Sequence, residues 1–299
     1  MKTLISLLFS IGILFQSFAQ NLNPYILGAS SSQSVADVKP LVTKALSDNN
    51  FKVVGSYTPA SDNNRYLLVV THPALLKAAG KVGGLTGFAA TLRVGITREG
   101  AITNISYTNP AYWGNAYYRD DFSNVQSDYE SVIAAFTATM KSLDGYKGTP
   151  FGSKEGIEAD DLHDYHYMMG MPYFDDTEEL NAFDSYAAAV AKIDANLKKG
   201  VANASLVYKV TVPGKELTIY GIALSGENGE SEFLPKIDIL SPKHTAFLPY
   251  EILVMGKEVH MLHGRYRIAL SFPDLTMGTF TKIMSTPGAI EEMMRTVVK

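Results

Sequence analysis

The segment Phe247-Leu248-Pro249-Tyr250-Glu251-Ile252-Leu253-Val254-Met255 is an apolar run led by a proline. Leu248-Pro249 breaks any helix before it, and the aromatic and branched residues that follow predict a strand over 250–255. A turn comes next, and 265–272 reads as the hairpin partner, stopped by Pro273. Upstream, 183–197 carries Tyr186, Val190, Ile193 and Leu197 on one helical face, and strands are predicted over 206–212 and 217–224 with Pro213-Gly214 between them. The first half follows the same order. Ser34 stands as N-cap before Val35, Val38, Leu41, Val42, Ala45 and Leu46 at helical spacing. Strands are predicted over 51–57 and 65–71, then a hairpin of 90–97 and 102–108 turning at Arg98-Glu99-Gly100 and stopped at Asn109-Pro110.

Helix, strand, strand, hairpin, proline in both halves implies a duplication. The expected fold class is α+β, with two related units of antiparallel strands packed against helices. Their expected bounds are 20–119 and 182–299, joined by a helical and aromatic linker over 120–181 whose main helix spans 125–143. Residues 20–33 are expected to be irregular, the glycine-rich 145–156 a loop, and Gly80–Gly87 a flexible connector, since it lacks the Gly-Lys-Ser/Thr ending of a phosphate loop. The C-terminal 276–298 should be helical, interrupted at Thr286-Pro287-Gly288.

The Leu248-Pro249 pair leading into a strand, the hairpin, and Phe272-Pro273-Asp274 with Met277 beyond resemble the domain of unknown function 302. The resemblance covers 182–299 and is weaker over 34–115, where Asn109-Pro110 stands in the place of Phe272-Pro273. It implies a compact α+β unit with strands on one side and helices on the other, and no settled activity. Many members carry cysteine directly after the Leu-Pro pair. Tyr250 stands there in this chain, so no thiol role carries over.

The chain has 299 residues, 46% of them hydrophobic, a formal net charge of −4 and no cysteine. Cysteine's absence excludes disulfides, thiolate zinc sites, iron–sulfur clusters and a thiol nucleophile. No basic stripe is present, so no nucleic-acid partner is expected. Met1-Lys2-Thr3, the apolar run over 4–15 and Ser17-Phe18-Ala19 have the layout of a signal peptide over 1–19, which predicts a periplasmic or secreted protein without stable membrane insertion after cleavage.

Two regions concentrate histidine. In Asp161-Leu162-His163-Asp164-Tyr165-His166-Tyr167-Met168-Met169-Gly170-Met171, the two imidazoles fall three residues apart, on one side of a helical turn. With Met168, Met169 and Met171 they form a candidate copper or haem site. The alternative is an aromatic, methionine-rich packing segment. Asp161, Asp164 or Asp175 with His166 would be the acid–base pair of a hydrolase. His260 and His263, near Met255 and His244, form the second region, though a strand would turn them to opposite faces. Asp175-Asp176 and Glu178-Glu179 suit calcium or, more simply, an acidic helix N-terminus. Aromatic density peaks over 107–118, around the single tryptophan, and Tyr112, Trp113 and Asn109 suit a small-molecule pocket. The leading expectation is non-enzymatic binding of an unidentified small molecule in a cleft between the units, near Asn109, Tyr112, Trp113, His163, His166 and Tyr167.

Overall fold

The computed structural model describes residues 21–299; the expected signal peptide lies outside the described residues. The first unit runs β1 (Tyr25–Ser31), α1 (Val35–Asp48), β2 (Lys52–Tyr57), β3 (Arg65–Thr71), α2 (Pro73–Val82), a 3-10 segment (Gly84–Ala90), β4 (Leu92–Glu99), β5 (Ile102–Thr108) and α3 (Pro110–Tyr118). Then come α4 (Phe122–Lys141), β6 (Tyr146–Phe151) and α5 (Ala159–His163). The second unit runs β7 (Glu178–Ala182), α6 (Tyr186–Lys199), β8 (Ala204–Thr211), β9 (Leu217–Leu224), α7 (Glu230–Ile237), a 3-10 segment (Thr245–Phe247), β10 (Tyr250–Met255), β11 (Glu258–Met261) and α8 (Gly264–Ser271). It closes with α9 (Met277–Phe280) and α10 (Thr286–Val298). No helix among the described residues is long and apolar enough to cross a membrane.

The fold is α+β with two antiparallel sheets. The first has the order β2-β3-β4-β5-β1-β6 and the second β8-β9-β10-β11-β7. Up to β6, the two orders are the same when β1 is matched with β7 and β2–β5 with β8–β11. The helices fall at matching places, and both hairpins turn on a glycine at positive φ, Gly100 and Gly256.

Several expectations are corrected. Residues 265–271 lie in a helix, α8, that ends at Phe272, and the partner of β10 is the short β11. The misleading feature is Arg265-Tyr266-Arg267-Ile268, which alternates like a half-exposed strand although Arg267 is buried with its apolar neighbours. His263 starts α8 by accepting the Arg265 N–H at Nδ1, 3.1 Å. The place matching His263 in the first unit is Asn109, which caps α3 in the same way at 3.2 Å. Asn109-Pro110 therefore matches the start of α8 and not Phe272-Pro273. Residues 25–31 form a strand between β5 and β6, bulged between Leu27 and Ala29, where Gly28 leaves room for the Met140 side chain. The 145–156 stretch holds β6, so the expected linker extends the first sheet. Gly80–Gly87 is a helix end and a buried 3-10 segment. Glu178 and Glu179 lie on β7, paired with β11, and are not a helix N-terminus.

The expected cleft between the units is filled. The 3-10 segment of the first unit packs on β9 and β10, and that of the second packs on β3, β4 and β5. Gly87 abuts Leu253, and Gly95 abuts Thr245; a Cβ at Gly87 would displace the Leu253 side chain, and one at Gly95 would crowd the backbone turn at Thr245. β10 is consequently buried on both faces. Tyr250, Ile252 and Val254 join the core of the second unit, whereas Leu253 joins the core of the first.

Charged groups cross this interface. Glu251 pairs with Arg93 of β4 and with Arg267 of α8, the latter at 3.0 Å. Glu230, at the start of α7, accepts from Tyr57 Oη (2.8 Å) and from the backbone N–H of Ala60 (2.9 Å) and Leu224 (3.2 Å). Burial outweighs these donors and pushes its carboxyl up to about 7.

Glu251→Gln should destabilise the protein by about 3–5 kcal/mol in urea unfolding, because two buried guanidiniums lose their carboxylate. For Glu230 the native carboxyl keeps its proton to about pH 7, while an unfolded one releases it near 4.5. Stability should therefore fall as pH rises through that window, by roughly 3 kcal/mol, and level off above it. Comparing urea midpoints of the native protein and Glu230→Gln across pH 4–8 isolates this slope, which the variant should lack.

Candidate functional site

An open groove of about 420 Å³ lies at one edge of the second unit. Its walls are loop 238–244, between α7 and the Thr245–Phe247 segment, and the chain from Phe272 to Thr279. Gly152 and Lys154, just after β6, complete the rim. The matching join in the first unit is Gly83 alone, between α2 and its 3-10 segment, so the longer loop creates a wall found only in the second unit.

Residues of the first unit hold that loop. Arg65 Nη1 donates to Asp238 Oδ2 at 2.5 Å, and the His244 N–H donates to Asp238 Oδ1 at 2.9 Å. Glu99 Oε2 accepts from Ser241 Oγ (2.6 Å) and Oε1 from the Lys243 N–H (3.0 Å). Burial alone would raise the Glu99 carboxyl, but these donors and Asn104 outweigh it and hold it below the usual range. With both ends fastened, Ile239 and Leu240 remain 59% and 58% exposed above the groove.

At the inner end, the His244 ring packs 4.6 Å from Phe272 and 4.8 Å from Tyr25, centroid to centroid. Its Nδ1 is buried without a hydrogen-bond partner, and burial lowers its pKa, so the ring is neutral at pH 7. Tyr25 in turn lies 6.5 Å from Trp113. On the other side, Asp274 accepts from Ser153 Oγ (3.1 Å) and the Lys154 N–H (2.8 Å), fixing the rim. The groove thus combines apolar walls with the polar residues Lys154, Asp238, Asp274, Thr276 and Thr279.

The residues singled out from sequence are distributed differently. Tyr112 and Trp113 are interior: Tyr112 Oη donates to Leu270 O and Trp113 Nε1 to Pro24 O, both at 2.8 Å. Asn109 caps α3 and donates to Asn23 O at 2.8 Å. His163 ends α5, so His166 lies beyond the helix and the two imidazoles do not share a helical face. His163 Nε2 meets Asn115 Oδ1 at 3.0 Å, while the His166 ring packs tilted against Tyr173, 4.5 Å between centroids. Met168 is exposed, Met169 is 95% exposed, and Met171 lines a different, small pocket with Tyr167. Asp164 and Asp175 converge on Arg119, at 3.1 and 2.7 Å, and His166 Nδ1 contacts the Asp164 backbone carbonyl, not a carboxylate. Asp161 is exposed. His260 faces Thr177 at 3.1 Å, and His263 faces Glu178 at 3.5 Å. Among the described residues, no group of three or more His, Asp or Glu side chains is arranged to hold a metal ion. Tyr167 alone of the six expected ligand-binding residues borders the groove region: it donates to Leu275 O at 2.8 Å and lines an adjoining depression beside Lys154 and Asp274. The overlooked signal was Ile239-Leu240, an apolar pair inside a proline-marked turn.

Asp274→Ala should free the 153–156 rim. Trypsin cleavage after Lys154 should accelerate relative to the native protein, with little change in far-ultraviolet circular dichroism.

No protein-family model matches the chain, and no curated protein does. Among solved structures it is similar to an uncharacterised conserved protein, DUF302, from Bacillus stearothermophilus, over 38% of this chain and 96% of that one, at 11% identity and a TM-score of 0.33.

Proposed function

We propose that the protein is a non-enzymatic binding module for a small, largely apolar molecule, held in the groove between loop 238–244 and the Phe272–Thr279 stretch. The observation that carries this reading is a groove of about 420 Å³ walled by Ile239 and Leu240, which a fastened loop holds out of the core. That volume lies in the range of small-molecule sites, roughly 300–1,000 Å³. Ile239, Leu240, Phe272 and Leu275 would contact the apolar body. Lys154, Thr276 and Thr279 would meet a polar or anionic end. The rigidity of both walls favours affinity, because little ordering remains to be done on binding.

The anionic apolar dye 1-anilinonaphthalene-8-sulfonate is a suitable probe, and Trp113 is a native reporter, linked to the groove through Tyr25 and His244. Saturable dye fluorescence with a change in tryptophan emission is expected. The double substitution Ile239→Asp with Leu240→Asp, at exposed positions, should weaken the dye at least tenfold while the melting temperature stays near native. Unchanged dye affinity in that variant would refute the assignment.

A further inference from the structure

A second site lies in the interior, independent of the groove. Arg93 and Arg267 are 1% and 2% exposed, and both converge on Glu251. Two guanidiniums thus face one carboxylate. Tyr208 Oη donates to the same carboxylate, and burial with the neighbouring Glu251 keeps that phenol protonated, so it adds no second negative charge. Of the other buried carboxyls, Asp238 is matched by Arg65 at 2.5 Å, and Glu230 has no cationic partner but keeps its proton to about pH 7. Among Arg93, Arg267 and Glu251, an excess of one positive charge remains in a region closed to solvent as long as Glu230 holds its proton, which is costly unless a counter-charge is near.

The two arginines are not equally provided for. Arg267 Nη2 donates to the backbone carbonyls of Phe247 (2.8 Å) and Pro249 (2.5 Å), and its plane lies near the rings of Tyr250 (5.0 Å) and Phe247 (5.4 Å). Arg93 has the Glu251 contact but neither carbonyls nor rings of this kind. The Nε–H of both arginines lacks an acceptor, and so do the buried hydroxyls of Tyr25, Tyr117 and Tyr250. Tyr25 and Tyr117 lie within electrostatic reach of both guanidiniums, and Tyr250 of Arg267. Buried polar groups without partners on this scale call for an occupant.

We propose that Arg93, Arg267 and the adjacent tyrosine hydroxyls form a buried site for a small monovalent inorganic anion of chloride size. Water would satisfy the N–H and O–H donors but leave the charge uncancelled. An anion accepts from all of them and neutralises the cluster, and close packing of the interior restricts it to a small one. The hydroxyls rotate freely enough to turn their protons towards it.

Crystals soaked in sodium bromide test the site directly: an anomalous-difference peak is expected between the guanidiniums of Arg93 and Arg267. In solution, exchanging gluconate for chloride at constant ionic strength should raise the melting temperature by several degrees, saturably. Arg93→Met, which keeps the side-chain bulk and removes the charge, should abolish that response. Absence of an interior bromide peak together with equal melting in chloride and gluconate would overturn the proposal, as would a peak confined to the surface. Should Arg93→Met fail to fold, the two measurements on the native protein decide alone.

Discussion

The carboxylate of Glu251, buried between Arg93 and Arg267, fixes how the two sheets meet. It sits on a strand with no solvent face. Its neighbours Tyr250 and Ile252 point into the core of the second unit, while Glu251 and Leu253 point towards the first. A slip of β10 by one residue would drive a carboxylate into an aliphatic core and strand both guanidiniums. The ion pair therefore acts less as a source of stability than as a register pin, the best-attested use of buried charge. The reciprocal packing of the two 3-10 segments depends on that register, since Gly87 meets Leu253 and Gly95 meets Thr245 at single positions.

The groove inherits this dependence. Its outer wall belongs to the second unit, but Arg65 and Glu99 of the first unit secure it. A free second unit would carry loop 238–244 without those anchors, and the exposed Ile239 and Leu240 would then favour collapse onto the nearest apolar surface. Docking of the units thus does two things at once: it buries the shared sheet face, and it props the groove open.

Much of this architecture was legible in the residues. Ser34 and the spacing of Val38, Val42 and Leu46 located α1, and Arg98-Glu99-Gly100 located the first hairpin turn, because these signals are local. The errors came where tertiary packing overrides local pattern. α8 alternates like a strand because its arginine is interior, a fact that only Glu251, distant in sequence, explains. β1 was hidden by Gly28, Ser30 and Ser31, of which Gly28 sits at the bulge and leaves room for Met140. The residues around Trp113 are dense in aromatics, but density alone does not separate a pocket from a core helix whose Tyr112 and Trp113 both find backbone acceptors. The groove was invisible to motif reading, since it is made by a loop's length and its anchors, not by residue types that carry chemistry.

The interleaving of the units also bears on how the chain is made. Synthesis runs from the N-terminus, and a domain folds as its residues emerge. The first sheet is complete once β6 has appeared, yet the face around Gly87 and Gly95 stays bare until β10 and Thr245 follow, about a hundred residues later. At the ribosome's usual pace that is a wait of roughly five to twenty seconds. During it the nascent first unit displays an apolar surface whose eventual cover is still untranslated, and exposed surface of that kind favours aggregation.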